Sequence, residues 1–298
     1  MKSTNPFLAI LKKLDWATIS GATLALVVCL ATIIFEGTHL GSFWNLAAFI
    51  LIFFGVISTT ISGYSFKEIK EIPGVTAQLF ISADKADRDP ENLIGTMVSL
   101  SEKARREGLL KLEDDLKNVK DAFLRAALQL VIDGTDMELL QKMLRQKIES
   151  LKERHKIGEM MFTNMGGYSP TMGIIGTVMG LIHVLGEMKG SQEDFARVGP
   201  GIAVAFLATF YGIAFANLIL LPWANKLKQK SEEEVMVKEM ILEGILSIQS
   251  GDNPRLLREK LSAFLPTMAK EEKKKKPLFK GAPKGKPVKA GKPAPAKG

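Results

Sequence analysis

Four stretches of this chain, Trp16–Phe35, Gly37–Phe66, Met160–Gly186 and Val198–Asn225, contain no Asp, Glu, Lys or Arg. Each reaches or exceeds the ~20 residues that an α-helix needs to cross ~30 Å of hydrocarbon. The runs predict an all-α membrane protein with four transmembrane helices and a cytoplasmic helical domain. The second run opens on the polar stretch Gly37–Ser42, so its spanning part lies nearer Phe43–Ser62. The first two helices then form an antiparallel hairpin.

Orientation follows from the basic residues. Lys12 and Lys13, Lys67 and Lys70, Lys152, Arg154 and Lys156, and Lys226, Lys228 and Lys230 all flank the same side of the spans. The opposite side offers only Lys189 and Arg197. An excess of Lys and Arg marks the cytoplasmic side, so both termini and the long central segment are expected in the cytoplasm.

The net charge of +8 does not argue for nucleic acid, because Lys270–Gly298 holds eleven lysines against Glu271 and Glu272 and leaves −1 for the remainder. With Pro, Gly and Ala between its lysines, that tail is expected to stay disordered, as a solvated tail or a contact to membrane lipids. Cys29, the only cysteine, lies mid-span and has no partner for a disulfide or a metal site. No phosphate loop, nucleophile constellation or metal-ligand cluster stands in the soluble part, so no enzyme reading survives.

The chain divides into 1–66, an amphipathic interfacial helix (1–14) with membrane helices one and two; 67–157, the cytoplasmic domain; 158–226, membrane helices three and four; 227–269, C-terminal cytoplasmic helices; and 270–298, the tail. Apolar residues at three- and four-residue spacing predict helices at Asp89–Glu107, Leu109–Asp133 and Asp136–Lys156, with Leu227–Ile248 and Pro254–Phe264 later. One glycine is a weak breaker, so the helix starting at Asp136 is expected to run through Gly158 into the third span. Such a rod would reach on the order of 75 Å.

Pro170 and Pro222 sit inside the third and fourth runs, both towards the cytoplasmic side. A proline removes one helical hydrogen bond, and membrane helices tolerate it where neighbours re-satisfy the freed group, so the pair reads as two hinges. Gly166, Pro170, Gly173, Thr177 and Gly180 fall on one helix face, and Gly201, Ala205, Ala208 and Gly212 on another. Small stripes let membrane helices approach closely. Thr177 and Thr209 are polar residues in mid-helix: they bond back to their own backbone, line a wet path, or ligate a passing cation. No carboxylate lies within any span, so an acid for ion transport must come from a partner. His183 reads as a polar anchor near the outer side, and Trp16, Trp44 and Trp223 as an aromatic belt.

Two segments carry a family likeness. G-Y-S-P-T-M-G-I-I-G-T-V-M-G-L-I (Gly167–Ile182) and I-A-V-A-F-L-A-T-F-Y-G-I-A-F-A-N-L-I-L-L-P-W-A-N-K-L (Ile202–Leu227) resemble the MotA/PomA family of flagellar motor stator subunits, and Leu14-Asp15-Trp16-Ala17-Thr18 fits its opening. The likeness covers nearly the whole chain up to Ala269. It implies a stator subunit that joins a MotB/PomB-like single-span, peptidoglycan-binding subunit, forms an ion channel and turns ion flow into torque. Five copies of this chain would ring two of the partner. The partner's aspartate would supply the missing acid, repacking against Pro170, Thr177, Thr209 and Pro222 as it is neutralised. The resemblance also implies contact with the flagellar rotor switch protein through A-R-R-E-G-L-L-K-L-E-D-D-L (Ala104–Leu116), where the family pattern selects Arg105, with Arg106 as its substitute, and Glu113. No cofactor is expected. For the transported ion, Thr177 resembles sodium-type relatives whereas Ala208 and Gly180–Gly186 look like proton-type ones, and H⁺ is favoured over Na⁺. An ExbB/TolQ-like proton-driven energiser and a non-transporting scaffold are the competing readings. The former usually has three spans and lacks the Arg/Glu pattern.

Overall fold

The computed structural model describes residues 16–37, 39–80, 90–188 and 191–265, and all regular elements among them are helical. The expected interfacial helix at 1–14 and the Lys-rich tail lie outside the described residues. Helix α1 (Trp16–Phe35) leads through Gly37, at φ +72°, and a 3₁₀ turn (Leu40–Phe43) into α2 (Leu46–Gly63). Asn45 fixes that start, its side chain accepting from the Ala48 N–H at 2.9 Å, as N-caps do. Three stretches, Leu40–Gly63, Met137–Gly186 and Ala196–Gln249, are long and apolar enough to cross a membrane. The first expected span is present as the 20-residue apolar helix α1, which stands at the edge of the bundle.

Helix α6 (Met137–Gly186) is the spine of the molecule. Asp136 caps it through the Glu138 and Leu139 N–H groups, and it continues for 50 residues, about 75 Å at 1.5 Å per residue, through both Gly158 and Pro170. Gly158 is a contact point rather than a break: a Cβ there would stand 3.1 Å from Val75 Cγ1 of α3 (Phe66–Phe80). Helix α7 (Gln192–Phe215) returns alongside α6. It passes through one π-helical turn (Ala216–Leu220) into α8 (Leu221–Gln249), which ends at Gly251, φ +72°.

Several features depart from the sequence reading. Helix α3, with Ile72 and Val75 turned towards Met161, Met165 and Leu220, was not anticipated as a separate element. Prolines also stand inside α3 (Pro73) and α7 (Pro200), so Pro170 and Pro222 are not the only helical prolines. The expected helix Leu109–Asp133 is two elements: a 3₁₀ stretch, Leu109–Asn118, and α5 (Ala122–Ile132). The break has local causes. Asp121 caps α5 through the Leu124 N–H at 2.8 Å, and the Arg125 guanidinium donates to the Val119 carbonyl, holding that residue extended.

The extramembrane core joins α4 (Pro90–Glu107), the 3₁₀ stretch, α5, the first turns of α6, the last turns of α8 and α9 (Pro254–Ser262). Met97, Leu112, Leu128, Leu140, Leu144, Ile241 and Ile245 are fully buried there. Their three- and four-residue spacing along each helix is what fuses the two long helices to the shorter ones.

Candidate functional site

In the membrane part the backbones of α6 and α7 approach closely, and glycine makes it possible. A Cβ at Gly173 would stand 2.9 Å from the Ala208 carbonyl oxygen and 2.9 Å from the Thr209 Cα. One at Gly212 would stand 2.5 Å from the Ser169 carbonyl oxygen, and one at Gly180 2.8 Å from the Ala205 Cβ. Gly201 faces Val184 in the same way, and Gly166 faces Leu221. The two small-residue stripes expected from the sequence are therefore the two sides of one seam.

Thr177 and Thr209 meet in this seam, oxygen to oxygen. Thr177 Oγ1 also lies 3.1 Å from the Gly173 carbonyl and 3.2 Å from the Ala205 carbonyl, and Thr209 Oγ1 lies 3.3 Å from the Gly173 carbonyl. Two hydroxyl protons serve three acceptor sites: one threonine donates to the other, which donates to a carbonyl. Both side chains are half-buried, so the cluster opens on one side. Apolar residues flank that side, with Ile174, Val178 and Val204 all exposed. The arrangement is a small patch of oxygen atoms with neutral chemistry throughout. It can accept a proton donor or solvate a cation transiently, but holds no charge of its own.

Pro170 shares the helix face of Gly173 and Thr177 and is half-buried two turns from the threonine pair. Pro222 is exposed and lies outside the seam. Its neighbourhood is nevertheless altered: in the preceding π-turn the Leu221 N–H reaches back five residues to the Ala216 carbonyl, and the Asn217 amide donates to the Ile213 carbonyl at 2.9 Å. The structure thus brings Thr177 and Thr209 together with Pro170 nearby, and sets Pro222 apart.

Sequence reasoning missed three polar contacts that tie the seam to its surroundings. Buried Ser169 donates to the Gly212 carbonyl at 2.8 Å, one turn from Gly173. Tyr211 donates to the Phe43 carbonyl and accepts from the Asn45 N–H at 3.1 Å, holding the start of α2 against α7. Asn164 donates to the Tyr64 hydroxyl at 2.7 Å at the other end of α2. A serine beside a small stripe is a readable signal, whereas the tyrosine and asparagine partners lie 100 residues or more away. His183 is exposed at the far end of α6, 3.6 Å from Glu187.

In the extramembrane part, Arg105 and Arg106 end α4 and Glu113 lies in the 3₁₀ stretch, all three exposed. Between these segments Lys103 and Asp115 pair at 2.8 Å, a hydrogen bond that raises the lysine's pKa. The pair fixes the 3₁₀ stretch against α4, so that Arg105, Arg106 and Glu113 belong to one exposed region. Asp121 pairs with Lys238 of α8 at 2.9 Å. Burial works to raise this carboxyl, but the bonds from Lys238 and the Leu124 N–H prevail and hold it below its ordinary range.

Comparison with known proteins places these features in context. Residues 115–240 match the MotA/TolQ/ExbB proton channel family. Motility protein A of Borreliella burgdorferi is 38% identical over 252 residues, 85% of this chain and 94% of that protein. Motility protein A of Bacillus subtilis is 35% identical over 253 residues, 85% of this chain and 92% of that protein. The fold is similar to the flagellar MotAB stator complex from Bacillus subtilis, with a TM-score of 0.78 at 34% identity over 85% of this chain and 97% of that one.

Proposed function

Because this chain belongs to the MotA/PomA family of flagellar motor stator subunits, we propose that the Thr177–Thr209 seam is the wall along which a partner's acid passes its ion. The chain is a multi-pass inner-membrane stator subunit of the flagellar motor and not an enzyme. Its partner is a MotB-like subunit, as the MotAB complexes of its structural relatives suggest, and the family resemblance gives that subunit one span and a peptidoglycan-binding domain. The observation that carries the reading is the neutral oxygen cluster, open on one side, in spans without any carboxylate. Oxygen acceptors next to an exposed apolar flank suit a helix bearing one protonatable group.

In this mechanism the partner's aspartate is charged while it faces water and neutral once it has bound an ion. The neutral side chain packs against Pro170 and the threonine pair, and the charged one leaves. One elementary charge crossing 100 mV releases about 2.3 kcal/mol, enough to drive a small step of a ring against an anchored axle. Five copies of this chain form that ring around two partner helices, with α1, α2, α6 and α7–α8 as four spans and both termini in the cytoplasm. The transported ion is H⁺. The 50-residue α6 and the continuous α7–α8 carry each step to the extramembrane core, where Arg105, Arg106 and Glu113 meet the rotor switch protein.

The test is co-expression with the single-span partner in cells lacking their own stator. Proton conductance and swimming are expected together, with both abolished by Asp→Asn in the partner span. Conductance that survives that change would overturn the reading. Swimming speed at fixed membrane potential should not respond to external sodium. Pro170→Ala should stop swimming while leaving membrane insertion intact.

A further inference from the structure

The charge-free runs hold four asparagines, and three of them have an evident place. Asn45 caps α2 by accepting from the Ala48 N–H at 2.9 Å, Asn164 donates to the Tyr64 hydroxyl at 2.7 Å, and Asn225 closes its run beside Lys226. Asn217 is different. It is exposed, it stands in the π-turn between α7 and α8, and its side-chain amide donates to the Ile213 carbonyl at 2.9 Å. That bond fixes which end of the amide is nitrogen. The other end, Oδ1, meets no donor among the described residues. Exposed hydroxyls elsewhere in the spans avoid this situation: Thr23, Thr32 and Ser62 each donate their single proton to the carbonyl four residues back. An asparagine carries two donors and a carbonyl acceptor, and bonding back uses only one donor. Nine residues, about 13 Å of helix, separate Asn217 from Lys226, the first charge after the run. At that depth lipid leaves the remaining polar groups unsatisfied, which is costly, so the side chain faces water or a polar group of another chain.

We propose that Asn217 is the inner station of the ion path, where its Oδ1 receives the hydrated proton as the partner's acid discharges towards the cytoplasm. The inference rests on the reading of the Thr177–Thr209 pair given above and extends it to a residue below that pair. Thr209, Ile213 and Asn217 step by four, which sets Asn217 about 12 Å nearer the cytoplasm, on the flank to which the threonine pair opens. Phe206 and Ile213, both exposed, share that flank. A helix that faces the threonines therefore faces Asn217 next. The step balances. An O–H bond of the neutral aspartic acid breaks and an O–H bond forms on a water, leaving a carboxylate and a hydronium. The hydronium donates one hydrogen bond to Oδ1 and passes its proton to the next water. The amide stays unprotonated and uncharged, so it stabilises the passing charge without trapping it, as carbonyl oxygens do in channel filters.

The local structure holds the amide in place. Ala216 and Leu220, the ends of the π-turn, are buried, and a Cβ at Gly166 of α6 would stand 3.8 Å from the Leu220 Cβ. The turn is thus anchored on one side while Asn217 is presented on the other. Single π-turns inside α-helices frequently mark functional sites. On α6, Thr163, Pro170 and Thr177 step by seven along one face, and exposed Thr163 has given its proton to the Glu159 carbonyl at 3.0 Å. Its oxygen is left as an acceptor. The threonine pair, Asn217 and Thr163 then form a descending series of neutral oxygen acceptors with no charge among them.

The test uses the full-length chain co-expressed with its single-span partner in cells lacking their own stator, with proton conductance measured per assembled complex. Asn217→Leu keeps the size, removes both polar ends and suits a membrane helix, so insertion and partner assembly should stay at wild-type levels. Conductance should fall roughly tenfold or more, the loss expected for one hydrogen bond to a charged species. Asn217→Ser should recover most of it, because a serine hydroxyl bonds back to Ile213 and still offers its oxygen. Wild-type conductance in Asn217→Leu overturns the inference. An equal loss in Asn217→Ser overturns it too, since the residue then acts by packing alone. Asn217→Cys in a Cys29→Ser background should be blocked by a charged thiol reagent added to inverted vesicles, whose cytoplasmic face is outermost. A thiol that never reacts faces lipid and overturns the inference as well. The partner's Asp→Asn separates the two readings: if it abolishes conductance while Asn217→Leu conducts normally, only the inner station is lost. If conductance survives it, the reading of the threonine pair falls and the inner station with it.

Discussion

The seam between α6 and α7 and the extramembrane core are both packed helix interfaces, yet they are closed by opposite means. In the core, large aliphatic side chains such as Leu128, Leu144 and Ile245 fill the space, and removal from water supplies the stabilisation. In the seam, Gly173, Gly180 and Gly212 remove the side chains altogether, and backbone meets backbone. Lipid tails are as apolar as leucine, so a membrane interface gains little from burying more apolar surface and more from close contact. The core is therefore sensitive to losing atoms and the seam to gaining them. A wedge-free seam with a narrow polar patch is also suited to sliding between closely spaced states, whereas a filled core holds one.

The largest expected effect follows directly. Gly212→Val places atoms where the Ser169 carbonyl oxygen already stands and cannot be relieved by a flexible side chain, so motility and assembly with the partner should be lost, with the extramembrane core still folded by limited proteolysis. If Gly212→Val cells swim, the contrast between the two regions fails. Next comes Leu128→Ala, fully buried in the core, which should cost about 2–5 kcal/mol and lower the unfolding temperature without touching the seam. Third is the double change Thr177→Val with Thr209→Val. Volume is kept, and interhelical hydroxyl bonds in membranes average about 0.6 kcal/mol, so stability should hardly move while ion conductance falls; equal loss of both would make the pair merely structural. The smallest effect is acid sensitivity of the core through Asp121. Its folded carboxyl titrates below the ordinary 3.8, so the Lys238 pair contributes stability above that pH and loses it as pH falls through and below 3.8. Asp121→Asn should lower stability at neutral pH and flatten the profile in that acid window, where variant and wild type converge.

Much of this was legible because membrane spans and small-residue stripes are periodic signals. Charge-free length located the spans, and steps of three and four put Gly173 and Thr177 on one helix face and Ala205 and Ala208 on another, which the fold then brings together. The passage of α6 through Gly158 was also readable, since one glycine costs a helix little. What stayed hidden depended on distant partners. The 3₁₀ stretch at Leu109–Asn118 has a helical apolar pattern, and only the Asp121 cap and the Arg125–Val119 bond show why the chain breaks there. Ser169, Tyr211 and Asn164 matter through atoms on other helices. Arg255 belongs to the expected short helix Pro254–Phe264, and only folding sets it beside Arg105.

The π-turn at Ala216–Leu220 has a consequence for changes in chain length. Buried seam residues step by four from Gly212 to Ala216, Leu220 and Ala224, a slower winding than the 3.6 residues of an ideal turn. The turn stores about one surplus residue, and without it everything beyond would be rotated by roughly 100° relative to the seam. Deleting a single residue inside 216–220 consumes the surplus and leaves both flanks facing as before. The same deletion elsewhere in α7 or α8 turns the lever off its core. The continuous α7–α8 thus contains one place where evolution can edit its length by a single codon without re-aiming its extramembrane end.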